Sequence, residues 1–395
     1  MKLLIQSRKI AIHRMVLVIG ALLFSVSESS ATVFLDLNIE EQRIQQAINK
    51  LPESFKRLDT RLESFKSSLK QSYNEQSLET QVTKHAQLLW QDAVKVFSTD
   101  ESFDDRSLYW TRLAMSKALK ETESFTKLSS KAQKKLLWQF ELLSRGQGDI
   151  NFAKNSNKKI LITGFDPFFL DRNIDQSNPS GAAALALDGQ VLEFAGVSVE
   201  IESVVVPVRF ADFDQGMIET LLAPYFKQVD MIVTISMGRT EFDLERFPGL
   251  RRSAKAPGNL NVYTGASSEN PLIPLLNGQA LDGPEFVEFS LPVGALQKAK
   301  GKYKIIDNHK VTTLKGKLEP AELSELGNEI SVSGSGGGYL SNEISYRSIR
   351  LRNIHNPKLP VGHIHTPRIK AFEPHTTGLI IKQIRLMLTH AIEAL

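Results

Sequence analysis

A glycine run, Gly336-Gly337-Gly338, leads through Tyr339-Leu340 into Ser341-Asn342, and 24 positions after Ser341 stands His365, inside His363-Ile364-His365-Thr366-Pro367. A glycine run that opens a helix is a way to present a hydroxyl as a nucleophile, and a histidine on a downstream strand end can serve as its base. Glu245 supplies a carboxylate able to orient that imidazole. The three residues read as a Ser/His/acid set for acyl transfer to water. A serine hydroxyl is a poor nucleophile at its free pKa, so the set also needs an oxyanion site; backbone N–H groups at a helix start after the glycines would provide one. The chain contains no cysteine. A thiolate nucleophile, a disulfide and a thiolate metal site are therefore excluded.

Other chemistries fit the same residues less well. Ser333, Ser335 and Ser341 make no G-x-S-x-G nucleophile elbow, and the glycine run has neither phosphate-loop spacing. His363 and His365 lie two apart, on one face of a strand, and with His355 or His375 could ligate zinc. No H-E-x-x-H and no spaced carboxylate accompanies them, so a structural histidine beside a base is preferred and no metal or other cofactor is expected. The plain alternative for Ser341 is a helix N-cap in a catalytically inactive binding or interaction protein. Arg239 and Arg246 read as local ion-pair partners of Glu245 or Asp243. Phe165 and Phe168 alone read as core aromatics.

The elements that must hold these groups alternate. Short apolar runs at 159–163, 203–208, 231–236, 329–332 and 362–366 read as strands, and segments 180–187, 211–226, 291–299 and 376–395 as helices. The alternation predicts a layered α/β domain over 159–395 with a mostly parallel central sheet. In such sheets chemistry gathers beyond the carboxyl ends of strands, where Gly164, Gly238, Ser341 and His365 fall. Residues 260–330 mix glycine, proline and charge and read as a surface insertion. Residues 32–150 are charged and rich in helix formers. Phe55, Leu58, Leu62, Phe65 and Leu69 share one helix face, and further apolar faces follow around Trp90, Trp110 and Phe140. Residues 144–158 are polar and read as a linker.

The first 31 residues read as a secretory signal peptide. Lys2, Arg8, Lys9 and Arg14 precede a 12-residue apolar stretch, Met15 to Val26, too short to span a bilayer, and Ser29-Ser30-Ala31 makes a cleavage site. The expected location is periplasmic or secreted, with no stable membrane span after processing. The whole chain has 48 basic and 44 acidic residues, but 1–31 hold four of the bases, so the mature chain is close to neutral. That balance gives no footprint for nucleic acid.

The motifs together resemble the pyroglutamyl peptidase I (pyrrolidone-carboxylate peptidase) family. Thr163-Gly164-Phe165-Asp166-Pro167-Phe168 with Asn178-Pro179-Ser180 is similar to its T-G-F-x-P-F and N-P-T/S. Gly238-Arg239 and Leu244-Glu245-Arg246, Ala254-Lys255-Ala256-Pro257-Gly258-Asn259, Phe289-Ser290-Leu291-Pro292-Val293, Tyr339-Leu340-Ser341-Asn342 and Ile364-His365-Thr366-Pro367 follow in the family's order. The resemblance covers residues 159–395 and leaves the helical region unmatched. It implies a three-layer, phosphorylase/hydrolase-like fold and a hydrolase that removes an N-terminal pyroglutamyl or related acyl group from a peptide or small acyl-amide, and it leaves room for an oligomer. The family's acid, nucleophile and base match Glu245, Ser341 and His365. Its ring-clamping phenylalanines match Phe165 and Phe168, and its pocket residues Tyr339 and Leu340. Lys255 stands for a family arginine at the substrate, Phe169-Leu170 for two glycines, and Ser341 for the nucleophilic cysteine.

Overall fold

Seven strands build the sheet that carries these residues, in the order Val191–Phe194, Val197–Val206, Lys158–Phe165, Met231–Met237, Val361–Thr366, Phe242–Glu245, Ile305–Asn308. The computed structural model describes residues 37–153 and 158–395; the signal peptide expected at 1–31 lies outside them. Lys158–Phe165 pairs parallel with both its neighbours, as do Met231–Met237 with Val361–Thr366 and Phe242–Glu245 with Ile305–Asn308. Val191–Phe194 runs antiparallel to Val197–Val206, and Phe242–Glu245 antiparallel to Val361–Thr366. The central strands are near-continuous apolar runs because both faces are covered. All six residues of Val361–Thr366 are buried. The helix Pro179–Leu187 packs on Lys158–Phe165 and against Pro374–Ala391, while Leu340–His355 packs on Val361–Thr366 and against Met217–Leu222.

Three elements differ from the sequence reading. The run at 329–332 contributes Ser331–Ser333 to a separate three-stranded sheet with Val311–Thr313 and Gly316–Leu318. Val332 alone of its apolar residues turns inward; Ile330 stays 40% exposed. The helix at 211–226 is broken at Gly216, whose φ of +81° takes the chain out of the right-handed region. The helix at 291–299 shrinks to Val293–Leu296 after Pro292.

The helical region contains Asp59–Lys70, Glu75–Thr99, Arg106–Lys120 and Ser130–Leu143 as its longer members. The face from Phe55 to Leu69 is interrupted at Arg57–Leu58, between Pro52–Lys56 and Asp59–Lys70. There Arg57 reaches Asp100 at 3.0 Å and Asp104 at 2.9 Å. Phe65, Trp90 and Phe140 belong to the same buried cluster as Ile160, Val204 and Ile232 of the sheet. The Trp90 indole donates to Asp188 Oδ2 at 3.1 Å. Residues 144–153, polar by composition, include Arg145, which is 1% exposed and whose carbonyl accepts from Val205 N. Among the described residues no helix is long and apolar enough to cross a membrane.

Candidate active site

The antiparallel step in the sheet brings acid and base together. Phe242–Glu245 runs beside Val361–Thr366 with Asp243 opposite His365, and the imidazole Nδ1 lies 2.5 Å from Glu245 Oε1. Glu245 is fully buried, and its second oxygen accepts from Asn308 Nδ2 at 2.7 Å. Asn308 also donates to the Ser335 carbonyl at 3.0 Å, which ties the edge strand to the glycine run. With Nδ1–H given to the carboxylate, Nε2 is left as the basic nitrogen; it has no hydrogen-bond partner among the described residues. Gly238 makes room for the ring: a Cβ there would lie 2.5 Å from His365 Cβ.

Ser341 is the second residue of the helix Leu340–His355 and is half-buried. Its hydroxyl donates to the Gly336 carbonyl at 3.2 Å, its one hydrogen bond among the described residues. Gly336 also faces the imidazole, since a Cβ on it would lie 3.6 Å from His365 Cε1. Serine and histidine thus converge on one glycine without a hydrogen bond between them. Gly337 has φ +90°, and this left-handed turn lets the run fold back before the helix. Asn342 fixes the helix start, accepting from Gly249 N at 3.0 Å and donating to Gly249 O at 2.7 Å. The first N–H groups of the helix have no acceptor within it.

His363 is a structural histidine. It is fully buried, with Nδ1 2.8 Å from Thr234 Oγ1 and Nε2 2.8 Å from Ser236 Oγ. Burial, helped by the neighbouring His365, pushes its pKa well below the ordinary value and keeps it neutral. Arg239 pairs with Asp243 at 2.9 Å and approaches Glu245 at 3.6 Å. Arg246 pairs instead with Asp307 and Glu288.

A cavity of about 240 Å³ opens beside Ser341. Phe165, Phe168, Tyr339 and Leu340 line it. Tyr339 is steadied by donating to Pro257 O at 2.7 Å. Lys255 is placed elsewhere: it is exposed, lies 3.6 Å from Glu269, and leaves its neighbours Ala254 and Ala256 to line the cavity. Phe169, Met237, Ser236 and Arg368 also line it. Phe169 adopts φ +62°, a region glycine enters freely and other residues at a cost of about 1–2 kcal/mol. Its ring packs 4.5 Å from that of Phe168.

A protein family described as "PA0049, C-terminal domain" matches residues 159–285 and 299–370, and one described as "PA0049 N-terminal domain" matches 25–141. The chain belongs to the PA0049 family. It is 29% identical over 380 residues to the uncharacterized protein PA0049 of Pseudomonas aeruginosa, spanning 72% of this chain and 69% of that one. It is 25% identical over 244 residues to the pyrrolidone-carboxylate peptidase of Finegoldia magna and 28% over 241 residues to that of Staphylococcus aureus, in each case 60% of this chain and 92% of the relative. Among solved structures, a mutant pyrrolidone carboxyl peptidase of Pyrococcus furiosus aligns with a TM-score of 0.41 at 20% identity, covering 60% of this chain and 99% of the other.

In this PA0049-family chain the N-terminal helices grip the loop that forms the cavity wall. Asp166, between Phe165 and Phe168, accepts from Arg112 at 2.7 Å and from Arg145 at 2.8 Å, with all three side chains buried. Asn178 donates to Asp166 O and Asn259 to Pro167 O. Arg43 in turn donates to Asn259 O at 2.7 Å. Leu170 enters a small core with Ile44, Leu51, Tyr109 and Trp110. The Phe169-Leu170 pair therefore does two things: one ring walls the cavity, and the next side chain docks the helices. Asp105 receives Ser177 Oγ at 2.5 Å and Asn178 N at 2.9 Å, and burial pushes its pKa up to about 8.

Proposed function

We propose that this protein is an exported hydrolase of pyroglutamyl-peptidase type, cleaving the amide that joins an N-terminal pyroglutamyl or related acyl group to a peptide or amine. The observation that carries this is the 2.5 Å Glu245–His365 contact, with the imidazole Cε1 edge against Gly336, the residue whose carbonyl also receives the Ser341 hydroxyl. The similarity to curated pyrrolidone-carboxylate peptidases supports the reaction class.

In this scheme the acyl group enters between the phenylalanines. Rotation about the Ser341 Cα–Cβ bond exchanges the Gly336 carbonyl for His365 Nε2, which takes the hydroxyl proton as Oγ attacks the acyl carbon. Glu245 stabilises the imidazolium that forms. The N–H groups opening the helix Leu340–His355 receive the oxyanion. The imidazolium then protonates the departing amine, and water, deprotonated by the same nitrogen, cleaves the acyl-serine ester. The bond from Ser341 to Gly336 O favours a second assignment, a binding protein whose serine only anchors a helix start.

The two are separated with a pyroglutamyl-arylamide. Hydrolysis is expected from the wild type and not from Ser341→Ala or His365→Ala, with a loss of at least about 10³-fold because nucleophile and base act as a unit. Glu245→Gln should lose less. Ser341→Cys should be active and become sensitive to alkylation. If wild type and Ser341→Cys are both inert on amide and ester substrates while folded, the binding assignment replaces the hydrolase.

A further inference from the structure

Among the described residues, one charged residue lines the cavity beside Ser341, and it is Arg368. Its position is fixed through the backbone. Arg368 follows the strand that carries His365, and its N–H donates to Arg239 O at 2.7 Å. Its side chain is exposed and makes no ion pair and no hydrogen bond with any described residue. Asp243 pairs with Arg239, whose carbonyl receives the Arg368 N–H, and Glu245 pairs with His365. Among the described residues no carboxylate lines the cavity. A second guanidinium, Arg172, lies 5.3 Å over the ring of Phe169, which forms part of the same wall, and it too has no carboxylate partner among the described residues.

The site therefore joins an aromatic and aliphatic interior to a positively charged rim. A neutral acyl group would fill the interior and leave the Arg368 fork unused. A guanidinium offers paired, planar N–H donors that match the two oxygens of a carboxylate. Because Arg368 is exposed, water competes for its donors, and the discrimination expected from such a pair is on the order of tenfold. A cavity of about 240 Å³ admits a residue-sized group, so the carboxylate must lie close to the scissile carbonyl.

We infer, building on the hydrolase assignment above, that Arg368 is a specificity-determining residue and that the substrates of this site are acyl-amides bearing a carboxylate, which its guanidinium holds. The carboxylate has two sources, the far end of the acyl group or the C-terminus of a single-residue leaving group.

The test is binding by calorimetry to full-length processed Ser341→Ala, with three probes: pyroglutamyl-alanine, its C-terminal amide, and N-glutaryl-alanine amide. The same probes are then run on Ser341→Ala/Arg368→Gln and on Ser341→Ala/Arg368→Lys. One of the two acids should bind at least about tenfold more tightly than the neutral amide, and which one does assigns the source. The advantage should vanish with glutamine and be partly kept with lysine. Equal binding of acids and amide, an advantage that survives Arg368→Gln, or no binding of any probe would each overturn the inference. Arg368 is exposed, so these substitutions leave the fold intact. Binding does not require turnover, so the two claims fail separately. An Arg368-dependent acid preference without hydrolysis by the wild type removes the hydrolase and keeps the carboxylate site. Hydrolysis without the preference does the reverse.

Discussion

Asp166→Ala is the substitution that most sharply tests how the helical region supports the site. Asp166 is 1% exposed, as are the two arginines that converge on its Oδ2, Arg112 at 2.7 Å and Arg145 at 2.8 Å. The partners are not equivalent. Arg145 keeps Glu141 at 2.9 Å, whereas Arg112 has no other ion pair among the described residues, where its Nε and Nη1 already lack acceptors. Removing the carboxylate leaves Arg112 buried without a hydrogen-bonded counter-ion. Breaking one side of a buried pair costs about 3–5 kcal/mol, so the variant should lose that much stability in urea unfolding followed by circular dichroism. Asp166→Asn keeps an acceptor and should lose less. Arg112→Met/Asp166→Asn should recover part of the loss, since an apolar side chain then fills the space of the stranded cation. A loss below about 1 kcal/mol for Asp166→Ala, or strict additivity in the double variant, would refute the idea that this charge cluster clamps the cavity loop.

Three further outcomes are expected. Gly238→Ala places a Cβ 2.5 Å from His365 Cβ, so it should displace the imidazole and suppress hydrolysis while the cooperative unfolding transition persists; full activity would contradict the placement of the base. Asp105, held by burial at about 8 against an ordinary value of 3.8, binds its proton more tightly in the folded state. Its contribution is complete below pH 4 and declines as pH rises toward 8, by about 1.4 kcal/mol per pH unit. Asp105→Asn should therefore gain stability relative to the wild type between pH 5 and 8; a constant difference across that range would exclude the titration. Export with cleavage after Ala31 should give a mature chain beginning at Thr32, and intact mass of exported material retaining 1–31 would contradict it.

The parallel sheet was legible because short strand-like runs recur between helical segments: 159–163, 231–236 and 362–366 fall within observed strands. Periodicity was a poorer guide where backbone geometry decides the outcome, as at Gly216 and at Arg57–Leu58. At the site, Glu245, Ser341 and His365 could be named from motifs, but their support could not. Asn308 lies in a stretch whose composition suggested an insertion, yet it ends an edge strand and holds Glu245. The strand-like run Lys304-Ile305-Ile306 just before it was the available signal. Arg368 sits three residues beyond His365, and only the turn of the chain brings its side chain to the cavity. Lys255 shows the opposite error, since a motif position does not fix where a flexible side chain points. The polar composition of 144–158 likewise concealed Arg145, because an arginine buried against Asp166 looks the same in sequence as one in water.

The proposed hydrolysis requires His365 to activate Ser341 as a nucleophile. The most direct measurement is covalent labelling with a fluorophosphonate, in which the serine oxygen displaces fluoride from phosphorus and the adduct is located by peptide mass spectrometry. One adduct per chain on Ser341 is predicted, absent from Ser341→Ala and strongly reduced in His365→Ala. A folded wild-type protein with no adduct at Ser341, or labelling at Ser341 unchanged by loss of His365, would contradict the account.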